Sequence, residues 1–171
     1  MSVHAATTAD IPSLISLINQ AYRGAESRKG WTTEAHLLDG ELRTDEKDLQ
    51  QLMQMPDATF LKYVNENDVI EGTVFLKKFD DKMYLGMLSV SPVLQARGVG
   101  GQLMAGAESY ARRWGCKAIF MKVISVRHEL IAWYERKGYH KTGDTEPFPA
   151  GNKFGIPTQP LEFEIMEKTI N

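Results

Sequence analysis

A glycine-rich segment in the middle of the chain has the residue types and the spacing of a phosphate-binding turn. It follows an apolar, strand-like run at residues 83–90 and opens an amphipathic helix predicted over residues 99–114. The first N–H groups of a helix have no helical partner and the helix dipole is positive there, while glycine lets the backbone approach an anion because it lacks Cβ. We therefore predict that this turn binds a phosphate-bearing ligand. The segment reads Gln95, Ala96, Arg97, Gly98, Val99, Gly100 and Gly101.

Three phosphate-binding patterns can be compared with this turn. A P-loop requires a Lys-Ser or Lys-Thr pair after its last glycine, and neither pair follows Gly101. A dinucleotide-binding fingerprint requires a third glycine three residues after the second, where this chain has Leu103. The third pattern is Gln/Arg-x-x-Gly-x-Gly/Ala, and residues 95–100 fit it at every position.

The third pattern resembles the pyrophosphate-binding motif of the GNAT family of N-acetyltransferases, which holds coenzyme A. Its position directly after a strand-like run that ends at residues 88–92 makes the resemblance more specific. The resemblance implies an acyltransferase that moves an acetyl group from acetyl-CoA to a primary amine by direct transfer in a ternary complex. Two other interpretations stay open: a non-catalytic acyl-CoA-binding sensor or regulatory module, and an interaction domain that binds another phosphate ligand at this turn.

The order of predicted elements indicates one α/β domain over residues 1–171. Thr8 and Thr44 are predicted to cap the first two helices. Helices are predicted over residues 9–22, 44–55, 99–114 and 129–137. Strands are predicted over residues 1–5, 58–64, 69–79, 83–90, 118–124, 139–142 and 161–169. A central mixed β-sheet of six to seven strands with helices on both faces buries these apolar patterns, and the order resembles the GNAT fold over nearly the whole chain.

Composition limits the classes of function. The formal net charge of -2 gives no broad basic surface for nucleic acid. The sequence has no signal-peptide pattern and no apolar run of membrane-spanning length, so a cytoplasmic protein is expected. His4, His36 and the single cysteine, Cys116, have no neighbours at metal-ligand spacing, so no metal is expected. The expected partner is a small-molecule or peptide amine, and a homodimer that pairs the final strands is a further expectation.

The resemblance implies that coenzyme A lies along one strand and one turn of this chain. In the family, backbone groups of the strand corresponding to residues 88–90 bind the pantetheine arm. The backbone N–H of Leu88 would polarise the thioester carbonyl, which makes it a catalytic group. The full set implied to bind coenzyme A is Leu88, Ser89, Val90, Gln95, Ala96, Arg97, Gly98, Val99, Gly100, Gly101, Gln102, Arg127 and Tyr134.

Tyr134 is the side chain that the resemblance assigns to acid catalysis. Residues 134–139 look like the family's Tyr-x-x-x-Gly-Phe/Tyr segment, in which the tyrosine protonates the departing coenzyme A thiolate. A phenol suits this role because it is a neutral donor at pH 7 and close to a thiol in acidity. Seven residues earlier the family often has asparagine, where this chain has Arg127. We expect Arg127 to contact a coenzyme A phosphate or the pantetheine arm, or to face solvent.

The acceptor pocket is expected in segments that border the cleft of the resembled fold. A cluster of aromatic and cationic residues, joined by Glu34, is expected to bind the substrate, with its arginines pairing with a carboxylate. The cluster contains Tyr22, Arg23, Arg28 and Trp31. Four carboxylates are candidates for the general base, although a chain of water molecules performs the same step and the sequence compels none of them. These are Glu34, Asp39, Asp144 and Glu146.

Overall fold

The computed structural model describes residues 2–23, 33–40, 42–94, 97–149 and 155–171. The helices in these ranges are α1 (Ile11–Tyr22), α2 (Glu46–Gln54), α3 (Val99–Arg113) and α4 (His128–Arg136). The strands are β1 (Ser2–Ala5), β2 (Leu38–Asp39), β3 (Ala58–Val64), β4 (Ile70–Phe79), β5 (Lys82–Val90), β6 (Ala118–Ile124), β7 (His140–Pro147), β8 (Ile156–Pro157) and β9 (Glu162–Thr169). Short 3₁₀ turns at Thr8–Asp10 and Pro92–Leu94 precede α1 and follow β5.

Seven strands form one mixed sheet in the order β1-β3-β4-β5-β6-β9-β7. Neighbouring strands are antiparallel except for β5 and β6, which are parallel. The strands β2 and β8 pair separately as a small antiparallel ribbon. The mixed sheet therefore confirms the predicted fold class, at the upper end of the predicted six to seven strands.

Helices cover both faces of the sheet, because successive side chains of a strand point to opposite sides. In β3, Phe60 packs with Phe75 against α1 and α2. Its neighbour Leu61 packs with Val74 in the larger cluster beneath α3 and α4. Cys116 is buried in this larger cluster, as a small core residue should be. Among the described residues, no helix combines the length and the apolar character needed to cross a bilayer.

The two parallel strands at the centre of the sheet separate after a short contact. Their ladder joins residues 82–84 of β5 to residues 118–120 of β6. Further along β5 the register with β4 shifts between Thr73 and Phe75, and Met87 on β5 has a φ of 53°. This bulge bends the end of β5 and opens a gap between it and β6.

Both predicted helix caps are wrong by one residue. The N-cap of the first turn is Thr7, one residue before the predicted Thr8, and its N–H donates to the Asp10 carboxylate at 2.9 Å. At α2 the cap is Asp45, whose carboxylate accepts from the Asp48 N–H at 2.8 Å. Thr44 donates its hydroxyl to the Asp48 side chain instead, at 2.7 Å. At α2 the Asp45 carboxylate binds the free amide of the first turn, so the neighbouring Thr44 is not needed as the cap.

The last two strands also differ from expectation. The strand predicted over residues 139–142 runs through His140–Pro147 and is exposed along its length. The final strand, β9, is paired on both edges, with β6 on one side and β7 on the other. Both edges being used within the chain contradicts the expected pairing of two final strands between copies. Dimerisation by another surface stays a prediction.

Candidate active site

The glycine turn leads into α3 with backbone geometry that favours glycine. Gly98 precedes the helix with a φ of 86°, in the left-handed region where other side chains are strained. A Cβ at Gly98 would meet no heavy atom within 4 Å, and one at Gly100 would meet nothing closer than Trp133 at 3.4 Å. The described chain therefore leaves open space beside Gly98, at the end of the helix where free N–H groups favour an anion, whereas Gly100 faces the Trp133 ring at contact distance.

That open space is the edge of a cavity of about 530 Å³, which we call the turn cavity. Its walls are the glycine turn, the end of β5 and one side of α4. Its lining residues are Tyr22, Leu88, Val90, Gly98, Gly100, Gly101, Glu129, Leu130, Ala132, Trp133, Tyr134, Arg136 and Lys137. The cavity thus connects the predicted phosphate turn to the predicted acid, Tyr134, across residues that are distant in sequence.

A lysine that the sequence analysis did not single out lies beside the turn. The Lys137 Nζ is 5.3 Å from the centre of the Trp133 ring and 3.2 Å from the position a Cβ would take on Gly101. Lys137 is exposed, as is Arg97 on the turn itself. An ammonium group next to a helix N-terminus adds positive charge where the turn already favours an anion.

The other predicted residues of the turn occupy different environments. Val99 is buried and packs in the core. Gln102 is exposed, and its N–H donates to the Gly98 carbonyl at 3.1 Å within the helix. Gln95 and Ala96 lie outside the described residues. The described part of the motif that lines the turn cavity is therefore the glycine set.

The end of β5 directs the backbone of Leu88 away from β4. Ser91 donates its N–H to the Glu71 carbonyl on the β4 side, and Ser89 is opposite Thr73 of β4. Because backbone groups alternate along a strand, those of Leu88 point to the opposite edge, where β6 has separated. The Leu88 carbonyl accepts a hydrogen bond there from the hydroxyl of Tyr22 on α1.

The protonation state of Tyr22 and the position of Ser89 both bear on this hydrogen bond. Burial, with the charge of Glu34 adding to it, raises the pKa of Tyr22 to about 12, so its hydroxyl stays protonated and remains a donor. Ser89 is buried, and its hydroxyl donates to the Met87 carbonyl of its own strand at 2.9 Å. Ser89 thus contacts its own strand and also interacts with the Tyr22 hydroxyl, close to the backbone groups of Leu88.

Tyr134 lies in α4 with its ring between the two sides of the gap. It is only 5% exposed, and its ring centre is 5.2 Å from that of Trp133. Burial raises the pKa of Tyr134 well above the usual 10, with the neighbouring Tyr22 adding to the effect. The group is therefore a neutral phenol across the physiological range, which is the protonation state that a general acid requires.

A second cavity, of about 260 Å³, lies on the other side of Tyr134, and we call it the arginine cavity. It occupies the gap between β5 and β6. Its lining residues are Tyr22, Glu34, Arg43, Tyr84, Leu85, Gly86, Met87, Leu88, Met121, Lys122, Val123, Ile124, Arg127, Leu130, Tyr134, Pro149 and Phe163. Four residues line both cavities and so form their junction. They are Tyr22, Leu88, Leu130 and Tyr134.

A buried carboxylate organises one wall of the arginine cavity. Glu34 forms ion pairs with Arg23 and with Arg127, the latter at 3.2 Å from the Arg127 Nη1. Burial raises the pKa of Glu34, but the guanidinium groups of Arg127 and Arg23 outweigh it, so its pKa lies below the ordinary 4.5. Glu34 is therefore an anion held by two cations, a poor proton acceptor at neutral pH.

Arg127 is buried beside Glu34, so, of the three alternatives given for it, the solvent-facing one is wrong. Among the described residues, Arg127 lines the arginine cavity and does not line the turn cavity. Of the other candidate bases, Asp144 is exposed on β7, and Glu146 pairs with Lys122 at 2.8 Å. The predicted roles of Arg28, Trp31 and the Asp39 side chain concern atoms outside the part of the chain that the structure describes.

Trp133, Lys137 and Arg43 are among the cavity-lining residues that the sequence analysis did not assign to the site. Trp133 and Lys137 flank Tyr134 within the same motif, and Lys137, three residues after the tyrosine, has the spacing that places two helical side chains on one face. Arg43 follows a segment without helical or strand periodicity, so no local pattern pointed to it. Only the three-dimensional arrangement brings Arg43 next to β5.

Comparisons with known proteins agree with this geometry. Residues 14–139 match the model of the Acetyltransferase (GNAT) family. The chain is 30% identical over 104 residues to the probable N-acetyltransferase camello of Xenopus laevis, across 58% of this chain and 47% of that protein. The chain therefore spans about half the length of that curated relative.

Solved structures extend the likeness to nearly the whole chain. A ribosomal-protein-alanine N-acetyltransferase from Brucella melitensis has a TM-score of 0.73 at 20% identity, over 99% of this chain and all of that one (100%). The yncA protein of Salmonella typhimurium, solved with its cofactor acetyl-CoA, has a TM-score of 0.67 at 20% identity, over 100% of this chain and 94% of that one. At these identities the likeness shows the shared fold.

Proposed function

Because the chain belongs to the acetyltransferase (GNAT) family, we propose that it transfers an acetyl group from acetyl-CoA to a primary amine directly, in a ternary complex. The observation that carries this proposal is the meeting of two cavities at Leu88 and Tyr134. One cavity has the features of a phosphate site, and the other has charged side chains suited to an acceptor. A thioester bound in the first would present its carbonyl to an amine bound in the second.

The residues present fit coenzyme A at the turn cavity. The open space beside Gly98 lies at the start of α3, Gly100 lines the same cavity beside Trp133, and Lys137 adds a cation there. Acetyl-CoA, when bound, supplies the thioester. The backbone N–H of Leu88 would donate to the thioester carbonyl oxygen, where negative charge develops during attack. Holding both reactants in one orientation contributes much of the rate in a reaction of this kind.

The chemical roles proposed for the side chains follow from their protonation states. The acceptor amine attacks the carbonyl carbon, the carbon–sulfur bond breaks, and Tyr134 donates its hydroxyl proton to the sulfur. The amine must lose its own proton before attack. Glu34 is an unsuitable acceptor for that proton because its pKa lies below its ordinary value. We propose that water in the gap between β5 and β6 takes it, so that no single side chain is the base.

A non-catalytic acyl-CoA-binding module is the alternative. Such a module needs the turn cavity alone, and a protonated phenol at the junction would have no use. The buried, neutral Tyr134 and the second cavity favour catalysis. The similarity to a ribosomal-protein-alanine N-acetyltransferase adds a peptide N-terminus to the acceptors worth testing.

Release of coenzyme A thiol from acetyl-CoA tests the proposed function. We expect release to depend on an added amine, with a panel of amino acids, alkylamines and short peptides as acceptors and the acetylated amine detected by mass. Thiol release at the same slow rate with every amine and with none, together with tight coenzyme A binding, would favour the non-catalytic module.

A further inference from the structure

The charges around the arginine cavity do not balance within the described chain. Its lining contains three cationic side chains and one carboxylate. The cations are Arg43, Lys122 and Arg127. Glu34 is paired with Arg127, and Lys122 is paired with Glu146 at 2.8 Å. Arg43 is the cation that these pairs do not include.

Arg43 is held in the cavity by its backbone and by an aromatic ring. Its N–H and that of Thr44 both donate to the side-chain oxygen of Asn19 on α1, the second at 2.9 Å. Its guanidinium lies over the Tyr22 ring, with the Arg43 Cζ 5.9 Å from the ring centre. No carboxylate of the described residues lies within ion-pair distance of it. The side chain is therefore positioned, half-buried and available to an anion.

The position of Arg43 also fits the direction in which an acceptor must point. Tyr22, beneath the guanidinium, extends its hydroxyl to the Leu88 carbonyl at the junction of the two cavities. Arg43 lines the arginine cavity and not the turn cavity, so an anion on Arg43 would lie away from the phosphate turn. A molecule with an anionic group at one end and an amine at the other would place the amine towards Leu88 and Tyr134.

We propose that the acceptor is an amine that also carries an anionic group, and that Arg43 binds this group. This inference rests on the proposed function and deepens it by naming the acceptor class. A planar guanidinium matches a carboxylate with two parallel hydrogen bonds, so a carboxylate is the anion used in the test. Arg127 lines the same cavity and shares Glu34 with Arg23, so these two guanidinium groups and one carboxylate add a net positive charge to the cavity.

Acceptors in matched pairs test the inference. L-amino acids are compared with their carboxamides, which keep the amine and the side chain but remove the negative charge. Simple alkylamines serve as a third set. For the unmodified protein we expect kcat/KM for the acids to exceed that for the amides by about tenfold to a hundredfold, the range of a hydrogen-bonded ion pair.

The Arg43→Gln variant locates the preference. We expect it to lower kcat/KM for the acids about tenfold or more, mainly through KM, and to change the amides less than about twofold. Arg113→Gln is the matched control, because Arg113 also lies over an aromatic ring, with its Cζ 4.2 Å from the Tyr110 centre, and lines neither cavity. Arg43→Lys keeps the charge without the planar fork and should restore part of the preference.

Each remaining result counts against the inference. Amides or alkylamines that match the acids, equal losses for both sets in Arg43→Gln, or no acetylation of any carboxylate-bearing amine would overturn it. The comparison of acids with amides uses the unmodified protein, so it stands even where Arg43→Gln fails to fold. Coenzyme A titration separates the two levels: absent coenzyme A binding defeats the proposed function, whereas retained binding with no preference for acids defeats only the acceptor class.

Discussion

The turn cavity and the arginine cavity share four lining residues but are built in different ways. The turn cavity consists of glycines on one turn, the end of one strand and one side of α4, and its proposed anion site is the backbone of the glycine turn, with Glu129, Arg136 and Lys137 also in the lining. The arginine cavity draws its lining from α1, α4, β5, β6, β9 and four connecting segments, and it contains four charged side chains, Glu34, Arg43, Lys122 and Arg127. Backbone N–H groups are the same whatever the sequence, whereas charged side chains differ from one sequence to another. The first suits a cofactor shared across a family, and the second suits the acceptor.

Glu34→Gln should have the largest effect of these variants on stability, and it changes the lining of the arginine cavity but not that of the turn cavity. The exchange removes the negative charge between two buried guanidinium groups. Removing one partner of a buried ion pair costs about 3–5 kcal/mol, because the opposite charge stays buried. We expect the free energy of unfolding in urea to fall by that amount. Glu66→Gln, at an exposed turn position, is the control and should change it by less than about 0.5 kcal/mol.

The difference in unfolding free energy between the unmodified protein and Glu34→Gln should also depend on pH. The pKa of Glu34 is lowered in the folded protein, so its stabilising contribution is complete above the ordinary value of 4.5. The contribution is lost as the pH falls through the lower folded pKa. The gap in stability between the unmodified protein and Glu34→Gln should therefore narrow as the pH falls below that value. A gap that is constant with pH would show that the ion pairs are not its source.

Tyr134→Phe tests the junction where the two cavities meet. Loss of a general acid typically slows the chemical step by about 10²-fold or more, so kcat should fall by that factor while the affinity for coenzyme A changes little. Because burial raises the pKa of Tyr134 above 10, titration of this group should not lower kcat between neutral pH and that value. Turnover measured at neutral pH is the readout.

Tyr139→Phe is the matched control for this exchange. The hydroxyl of Tyr139 is buried with no hydrogen-bond partner among the described residues, and its ring centre is 6.0 Å from that of Tyr134. The Tyr139→Phe exchange removes a hydroxyl group from a neighbouring ring that lines neither cavity, so turnover should be retained. Equal losses in both variants would indicate disturbed packing, and an unchanged Tyr134→Phe would remove the tyrosine from the acid role.

Gly100→Val should weaken coenzyme A binding at the turn cavity and leave the arginine cavity unchanged. Its side chain would occupy the space beside Trp133, where a Cβ meets nothing closer than 3.4 Å. Overfilling a packed site costs about 1–3 kcal/mol, which is about tenfold to a hundredfold in the coenzyme A dissociation constant. Ala105→Val, at an exposed position of the same helix, controls for the helix propensity of valine. Equal affinities of the two variants would separate coenzyme A binding from the glycine turn.

Lys137→Gln should have the smallest effect. An exposed cation contributes about 0.2–1 kcal/mol to an ion pair, so coenzyme A affinity should fall about twofold to fivefold at low salt. The loss should shrink as salt is added, because salt screens exposed charges. Lys141→Gln, exposed on β7, is the control. A loss of the same size for both lysines would reflect net charge rather than a contact at the turn.

The contrast between the cavities also explains what the sequence predicted well. The turn, the strands β3 and β6 and the helix α3 follow from short patterns: glycines at fixed spacing, apolar runs and a helical stripe. The physical determinants of such elements lie within a few residues of each other. The mixed sheet of six to seven strands was predicted from the order of these elements, whereas the expectation that Tyr134 lies at the coenzyme A site came from the resemblance to the family.

What the sequence did not predict depends on distant contacts. The pairing of Glu34 with Arg127 joins residues far apart in the chain, and the position of Arg43 depends on Asn19 in α1. Neither leaves a periodic or motif signal. The extension of β7 to Pro147 likewise depends on its pairing with β9, because its own sequence has no alternation of apolar residues. Tertiary contacts decide such cases over local propensity.

Titration of the unmodified protein with coenzyme A, ATP and NAD, by calorimetry, tests the central claim most directly. The account predicts binding of coenzyme A with one site per chain and much weaker binding of ATP and NAD, because the turn cavity continues from the phosphate turn along Leu88 to Tyr134, where coenzyme A has a pantetheine arm that ATP and NAD lack. Binding of ATP or NAD without binding of coenzyme A would contradict it.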